Sequence, residues 1–183
     1  MSLPVLRAPR LVLSPASKGD LDFFTALNSD PAVMAHISGG ATGRSQTERE
    51  WHRRLGERSV VDAGLGYWIG TVDEEPVGWW GLGHTASAPG TGELGFRLMP
   101  AHWRKGLATE GAHALLRHAF VDREVGRVWA GTSTANLGSR RTLAAAGLSC
   151  TGEPFPGVLT YEVRARAWRD RLTPTRSCPA AST

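Results

Sequence analysis

Cysteine is almost missing from this chain: Cys150 and Cys178 are the two among 183 residues. Two thiols cannot form the disulfide framework of a small secreted domain, so the cytoplasm is the expected compartment. The opening residues, Met1-Ser2-Leu3-Pro4-Val5-Leu6-Arg7, lack the apolar core of a signal peptide. No apolar run approaches the length of a membrane span, so no membrane partner is expected. No block of consecutive Lys or Arg reads as a nucleic-acid patch, and the net charge of +4 is modest. There is no internal repeat and no Gly-x-Gly-x-x-Gly turn. Ser38 to Ser45 is glycine-rich but is not a P-loop: its spacing is one residue short, Arg44 stands where a lysine belongs, and no buried strand feeds it. His84, His102, His113 and His118 do not fall at metal-ligand spacing, and no metal is expected.

What is present suits one domain, residues 1–172, in which 41% hydrophobic content over this length can bury a core. Residues 173–183 are rich in Ser, Pro and Ala and are expected to be disordered. Pro9 to Leu13 reads as a first strand. Asp20, or Ser17 before it, can cap a helix carrying Leu21, Phe24 and Leu27. Asp30-Pro31 opens a second helical piece through Val33, Met34 and Ile37. Ser45 with Glu48 forms a capping box for a third helix bearing Trp51 and Leu55. Gly66 to Val72 and Val77 to His84 read as strands joined by an Asp-Glu-Glu-Pro turn.

The chain is organised around residues 92–119. Gly92 to Met99 is a strand closed by Pro100, which cannot donate to a ladder. Ala108, Gly111, Ala112, Leu115, Leu116, Ala119 and Phe120 then recur at helical spacing. Between them lies Trp103-Arg104-Lys105-Gly106. A helix start offers unpaired amides and a partial positive charge; Gly106 permits close approach, and Arg104 and Lys105 add full charges. This is a phosphate-binding arrangement. Further on, Arg127 to Thr132 reads as a strand and Asn136 opens a helix ending at Gly147. Leu148 to Thr151 and Val158 to Arg164 supply the last strands.

Trp-x-x-Gly-x-Ala-Thr-Glu following Gly-Glu-x-Gly-Phe resembles the acetyl-CoA motif of the GNAT superfamily of N-acetyltransferases. The form is similar to the branch that includes ribosomal-protein N-terminal acetyltransferases, in which Trp103 is familiar where the superfamily usually has Arg or Gln. Asn136-x-x-Ser139-x-Arg141 with Gly147-Leu148 resembles the second GNAT signature. The resemblance implies an α/β fold with a mixed, mostly antiparallel sheet, the Leu94–Leu98 strand central. It implies acetyl-CoA as cosubstrate, held by Phe96, Arg97 and Leu98 on the strand and by Trp103, Arg104, Lys105, Gly106, Leu107, Ala108 and Thr109 at the turn. Asn136, Ser139 and Arg141 complete that set; Asn136 is otherwise simply a helix cap. The acceptor is an amine, on a small molecule or a protein N-terminus, and a homodimer is compatible with the family.

Acetyl transfer needs a deprotonated amine and a donor for the developing oxyanion. Glu93 is the candidate base, or else a strand carboxylate paired with an arginine. A backbone N–H near Phe96 or Arg97 is the candidate oxyanion donor. Many family members carry a tyrosine acid where this chain has Leu143; Ser139 is the nearby hydroxyl. That gap leaves two readings, an active N-acetyltransferase or a weak or inactive coenzyme A-binding regulatory module. The acceptor side is expected between Asp20 and Arg58 and at Gly152 to Gly157, with Trp51, Trp68, Trp79 and Trp80 either lining it or filling the core.

Overall fold

The computed structural model describes residues 3–37, 39–56, 63–84 and 88–172. Eight strands form a single sheet in the order β1-β2-β3-β4-β5-β6-β8-β7. The strands are β1 (Leu6–Arg7), β2 (Val12–Pro15), β3 (Gly66–Val72), β4 (Glu75–His84), β5 (Thr91–Leu98), β6 (Arg127–Ser133), β7 (Ser149–Phe155) and β8 (Val158–Arg164). Every neighbouring pair is antiparallel except β5 and β6. Parallel strands need a crossover, and the helix α4 (Leu107–Arg117) supplies it. The expected mixed, mostly antiparallel α/β sheet with this strand at its centre is the observed one.

Helices cover both faces. α1 (Leu21–Ser29), α2 (Pro31–Met34) and α3 (Arg44–Gly56) lie on one side. There Phe24, Leu27, Met34 and Trp51 pack on Ile69 and Trp79. α4, α5 (Leu137–Ala145) and α6 (Ala165–Leu172) lie on the other. Their Leu115, Leu116, Leu143 and Trp168 join Trp68, Trp80, Leu82 and Leu94 in the larger core. Consecutive strand residues face opposite sides, so Trp79 and Trp80 belong to different layers.

Local structure departs from the expected boundaries in ways that chemistry explains. Pro9 and Arg10 are not strand. They lie in a turn in which the Ala8 N–H donates to the Leu11 carbonyl, 2.9 Å. Asp30 caps α2 through the amides of Ala32 and Val33, but that helix stops at Met34 and leaves Ile37 exposed. Ser45 lies inside α3, not at its cap; the Gln46 and Thr47 amides reach back to the Gly43 carbonyl. Ser17 caps a short 3-10 turn with Asp20 before α1 begins. Asp73 and Glu74, with φ of 48° and 68°, make the two-residue turn between β3 and β4, the left-handed pair that suits a tight hairpin. α6 has no counterpart in the sequence reading, although Ala165 and Trp168 stand at helical spacing. The tail expected at 173–183 lies outside the described residues.

Trp80 and Gly111 lock α4 to the sheet. The Trp80 indole Nε1–H donates to the Ala108 carbonyl at 3.1 Å, and a Cβ on Gly111 would sit 2.4 Å from the same ring. Both are fully buried. Gly111→Ala is therefore expected to lower stability by about 1–3 kcal/mol, the usual cost of overpacking a rigid core. Chemical denaturation would measure it, and an unchanged midpoint would show that the indole moves freely.

Candidate active site

β5 and β6 pair only at Thr91↔Arg127, Gly92↔Val128 and Glu93↔Trp129. Beyond Glu93 the ladder ends, and the facing edge of β5 is left as one wall of a cleft. The Met99 N–H donates to the Val77 carbonyl on β4, 2.9 Å. Strand backbones alternate, so Arg97, Gly95 and Glu93 also turn their amides to β4, while Leu98, Phe96 and Leu94 turn theirs into the cleft. Two contacts agree with that phase: Leu98 O accepts from the Trp103 indole at 2.8 Å, and Gly90 O accepts from Gly126 and Arg127. Of the two amides considered for an oxyanion, Phe96 faces the cleft. The Arg97 amide belongs to the β4 ladder, and its side chain lies on the α1–α3 face at 9% exposure, away from the turn that starts α4.

That turn forms one arm of the cleft. Arg104 and Gly106 have φ of 58° and 79°, and the first intrahelical bond runs from Glu110 N–H to Gly106 O. The amides of Leu107, Ala108 and Thr109 thus precede the helical ladder and are free to meet an anion. Arg104, Lys105 and Gly106 are exposed. Arg10 was not foreseen here. Its backbone N–H and guanidinium grip the Glu110 carboxylate at 2.6, 2.7 and 2.8 Å, and its Nη1–H donates to the Lys105 carbonyl at 2.9 Å. Glu110 sits in the first turn, where its charge suits the helix dipole. Arg10 neutralises it beside the helix start and occupies the Lys105 carbonyl. No short-range signal reveals a pair 100 residues apart in sequence.

The other arm is the end of β6 and the start of α5. Asn136 caps α5, its Oδ1 accepting from Ser139 N–H at 3.0 Å. The side chain is therefore a helix cap, and its amide NH₂ still has donors to offer. Ser139 is half-buried in the first turn, Arg141 is exposed, and Leu143 is 1% exposed within the larger core. A leucine so placed donates nothing to a leaving group.

The acetyltransferase (GNAT) domain family matches residues 10–149 of the chain. The chain belongs to the GNAT acetyltransferase family. Enzymes of this family use acetyl-CoA. The chain is 34% identical, over 88% of its length and 74% of the relative's, to FsC-acetyl coenzyme A-N(2)-transacetylase of Aspergillus fumigatus. In fold it resembles a GNAT acetyltransferase of Bacillus anthracis, with TM-score 0.76 and 21% identity over 89% of this chain and 99% of that one. It also resembles RimL, a ribosomal L7/L12 alpha-N-protein acetyltransferase solved with coenzyme A, with TM-score 0.75 and 14% identity over 90% and 99%. Among the described residues no helix is long and apolar enough to cross a membrane, and no cluster of His, Cys, Asp and Glu could hold a metal ion.

In this GNAT fold Glu93 stands at the last paired position before the cleft, exposed on the face shared with Gly83, Trp79 and Arg97. Trp51, Trp68 and Trp80 are 0% exposed and Trp79 3%, so all four fill the core and none walls an open pocket. The buried polar residues on this face form a network. Arg97 Nη1–H donates to Asn28 Oδ1 at 2.6 Å, and Asn28 Nδ2–H donates to Thr47 Oγ1 at 3.2 Å. The expected acceptor segment at Asp20 to Arg58 packs over this half of the sheet, with residues 38 and 57–62 outside the described set. Gly152 to Gly157 forms the β7–β8 hairpin tip, where Phe155 is 68% exposed.

Gly106→Val tests the turn. A branched side chain at φ 79° is strained, and its Cβ would lie 3.4 Å from Arg10 Nη2 at the start of α4. Coenzyme A affinity measured by calorimetry is expected to fall at least tenfold, about 1.4 kcal/mol or more, with the near-UV spectrum retained. Unchanged affinity would put the cofactor elsewhere.

Proposed function

We propose that this chain is an active acetyl-CoA-dependent N-acetyltransferase that moves an acetyl group to a primary amine by direct attack on the thioester. The observation that carries this reading is the parting of β5 and β6 immediately after Glu93, with a basic helix start on one arm and Asn136 on the other. The pyrophosphate of coenzyme A lies against Arg104, Lys105, Gly106 and the amides of Leu107 to Thr109, beside Trp103. The pantetheine arm enters the cleft along Phe96 and Leu98, with Asn136, Ser139 and Arg141 opposite. Arg97 is assigned to the acceptor side. The domain spans residues 1–172, in the cytoplasm.

In the reaction the amine nitrogen attacks the thioester carbonyl, an N–C bond forms and the C–S bond breaks. The Phe96 N–H is placed to receive the developing oxyanion. Glu93, directly or through water, takes the proton the ammonium must lose first. The thiolate takes its proton from water or from Ser139. Glu93 at the cleft's vertex favours this over the regulatory-module reading, because a module that only binds the cofactor needs no carboxylate there. The acceptor is an amine, in keeping with the N(2)-transacetylase name of the Aspergillus relative, carried by a small molecule or by a protein N-terminus, the latter as the resemblance to the ribosomal-protein branch suggests.

Glu93→Gln is expected to lower kcat by about 100- to 10,000-fold at neutral pH, the usual worth of a positioned general base, with coenzyme A affinity intact. The deficit should shrink as pH rises, because free amine then becomes abundant. A deficit flat across pH would assign Glu93 to structure; full activity at neutral pH would remove it from the mechanism.

A further inference from the structure

Two glycines beside Glu93 have no reason, among the described residues, to be glycine. A Cβ on Gly95 would meet Trp79 at 3.6 Å, and one on Gly83 would meet the Glu93 Cβ at 3.6 Å, both ordinary contacts. Neither has a left-handed backbone. Some glycines of the fold differ, although Gly92, Gly126, Gly131 and Gly138 likewise meet nothing closer than 3.6 Å. A Cβ on Gly70 or Gly111 would strike Trp80 at 2.3 or 2.4 Å, and one on Gly81 would strike Tyr67 at 2.6 Å. A glycine within a strand weakens it and often marks where a ligand comes close. Gly83 is the β4 partner of Glu93, and Gly95 follows Glu93 by two residues on the same face of β5. Together they leave a bare floor next to the carboxylate, partly exposed.

The far side of that floor is positively charged. Tyr67 pairs with Gly81 on β4, which in turn pairs with Gly95. The Arg54 guanidinium lies 5.3 Å from the rings of both Tyr67 and Trp79, and that of Arg97 lies 5.4 Å from Trp79. One carboxylate, Glu50, serves both, at 2.6 Å from Arg54 and 3.8 Å from Arg97. Two guanidiniums against one carboxylate leave a surplus positive charge in this cluster. Burial lowers the Arg97 pKa, with Glu50 opposing that shift and Arg54 adding to it, whereas for Arg54 burial is outweighed by Tyr67 and Glu50, which raise its pKa. The Arg54 side chain keeps 20% of its surface exposed, against 8% for Arg97, so Arg54 is the more accessible of the two; its donors meet Glu50 at 2.6 and 3.1 Å and the Tyr67 hydroxyl at 3.2 Å.

We infer that the floor of Gly83 and Gly95 is the acceptor trough, and that it takes a primary amine whose other end carries a carboxylate received by Arg54. This rests on the transferase reading above, with Glu93 as base. The amine lies over the glycines, between Glu93 and the cleft, and the acceptor runs toward Tyr67. A purely cationic amine meets the surplus charge and is disfavoured.

The test uses matched amines whose remote carboxylate is free or methyl-esterified. Thiol release is followed, and acceptor binding to the coenzyme A complex is measured by calorimetry. The free acids should exceed their esters at least tenfold in kcat/KM. Arg54→Gln should bring that ratio close to one by raising KM for the acids, and Arg54→Lys should restore part of it. Gly95→Ala, which the fold accommodates, should lower kcat/KM for acids and esters alike by tenfold or more, with coenzyme A affinity and melting temperature unchanged. Equal rates and equal binding for acid and ester would overturn the charge assignment while leaving the transferase intact. Unaltered turnover and binding in Gly95→Ala would overturn the trough. Preferential binding of acids without thiol release would uphold the trough and sink the transferase reading.

Discussion

Backbone hydrogen bonding in β5 is the constraint on which the site depends. A central strand normally has both edges paired, and an unpaired amide buried in a sheet is costly. β5 meets β4 along its whole length but meets β6 for only three residue pairs. The amides of Phe96 and Leu98 are thereby left facing an opening, in a strand that the rest of the sheet holds rigid. Such groups can pair with an extended ligand as they would with another strand. The Leu98 carbonyl, which faces the same way, is met internally: it accepts from the Trp103 indole, which ties the loop to the strand it follows.

Two contacts hold α4 in register with that strand. From beneath, Trp80 donates to Ala108 and fills the space that Gly111 leaves. From outside, Arg10 grips Glu110 and the Lys105 carbonyl. The first contact is buried and acts through packing; the second is surface-exposed, and its worth comes from three short charged contacts acting together, not from a lone ion pair. Both act on the same turn and a half of helix, whose exposed amides form the proposed phosphate site. A site that must hold geometry is thus built at the end of a buried strand and the start of a packed helix, and the loop between them is pinned at each end.

The opposite face follows a different logic. There the helices α1 to α3 bury aromatic rings and a polar chain from Arg97 through Asn28 to Thr47. Burying an arginine requires partners for its donors and its charge; Asn28 accepts from it at 2.6 Å and the Glu50 carboxylate lies 3.8 Å away. The outcome is a covered half-sheet ending at a strip without side chains, next to Glu93. The charge and the bare floor lie near one another because α3 packs Arg54 over Tyr67 and Trp79 on the adjacent strands, not because they are near in sequence.

Local chemistry let the sequence determine a good deal by itself. The period of α4, the proline that closes β5, the glycine at position 106 and the cap at Asn136 are all set within a few residues, and each is legible in the amino-acid order alone. The family resemblance rests on those same short segments. What local chemistry does not carry was decided by tertiary structure. Arg10 reaches Glu110 across 100 residues. Leu143 is a core residue because α5 lies flat on the sheet, and the four tryptophans divide between core layers because their strand positions alternate. Whether Phe96 or Arg97 faces the cleft depends on the phase of the β4 ladder, which the Met99–Val77 bond sets. Glycine spacing shows where side chains are missing; only the packing around each one shows whether the protein needs the room or leaves it for a ligand.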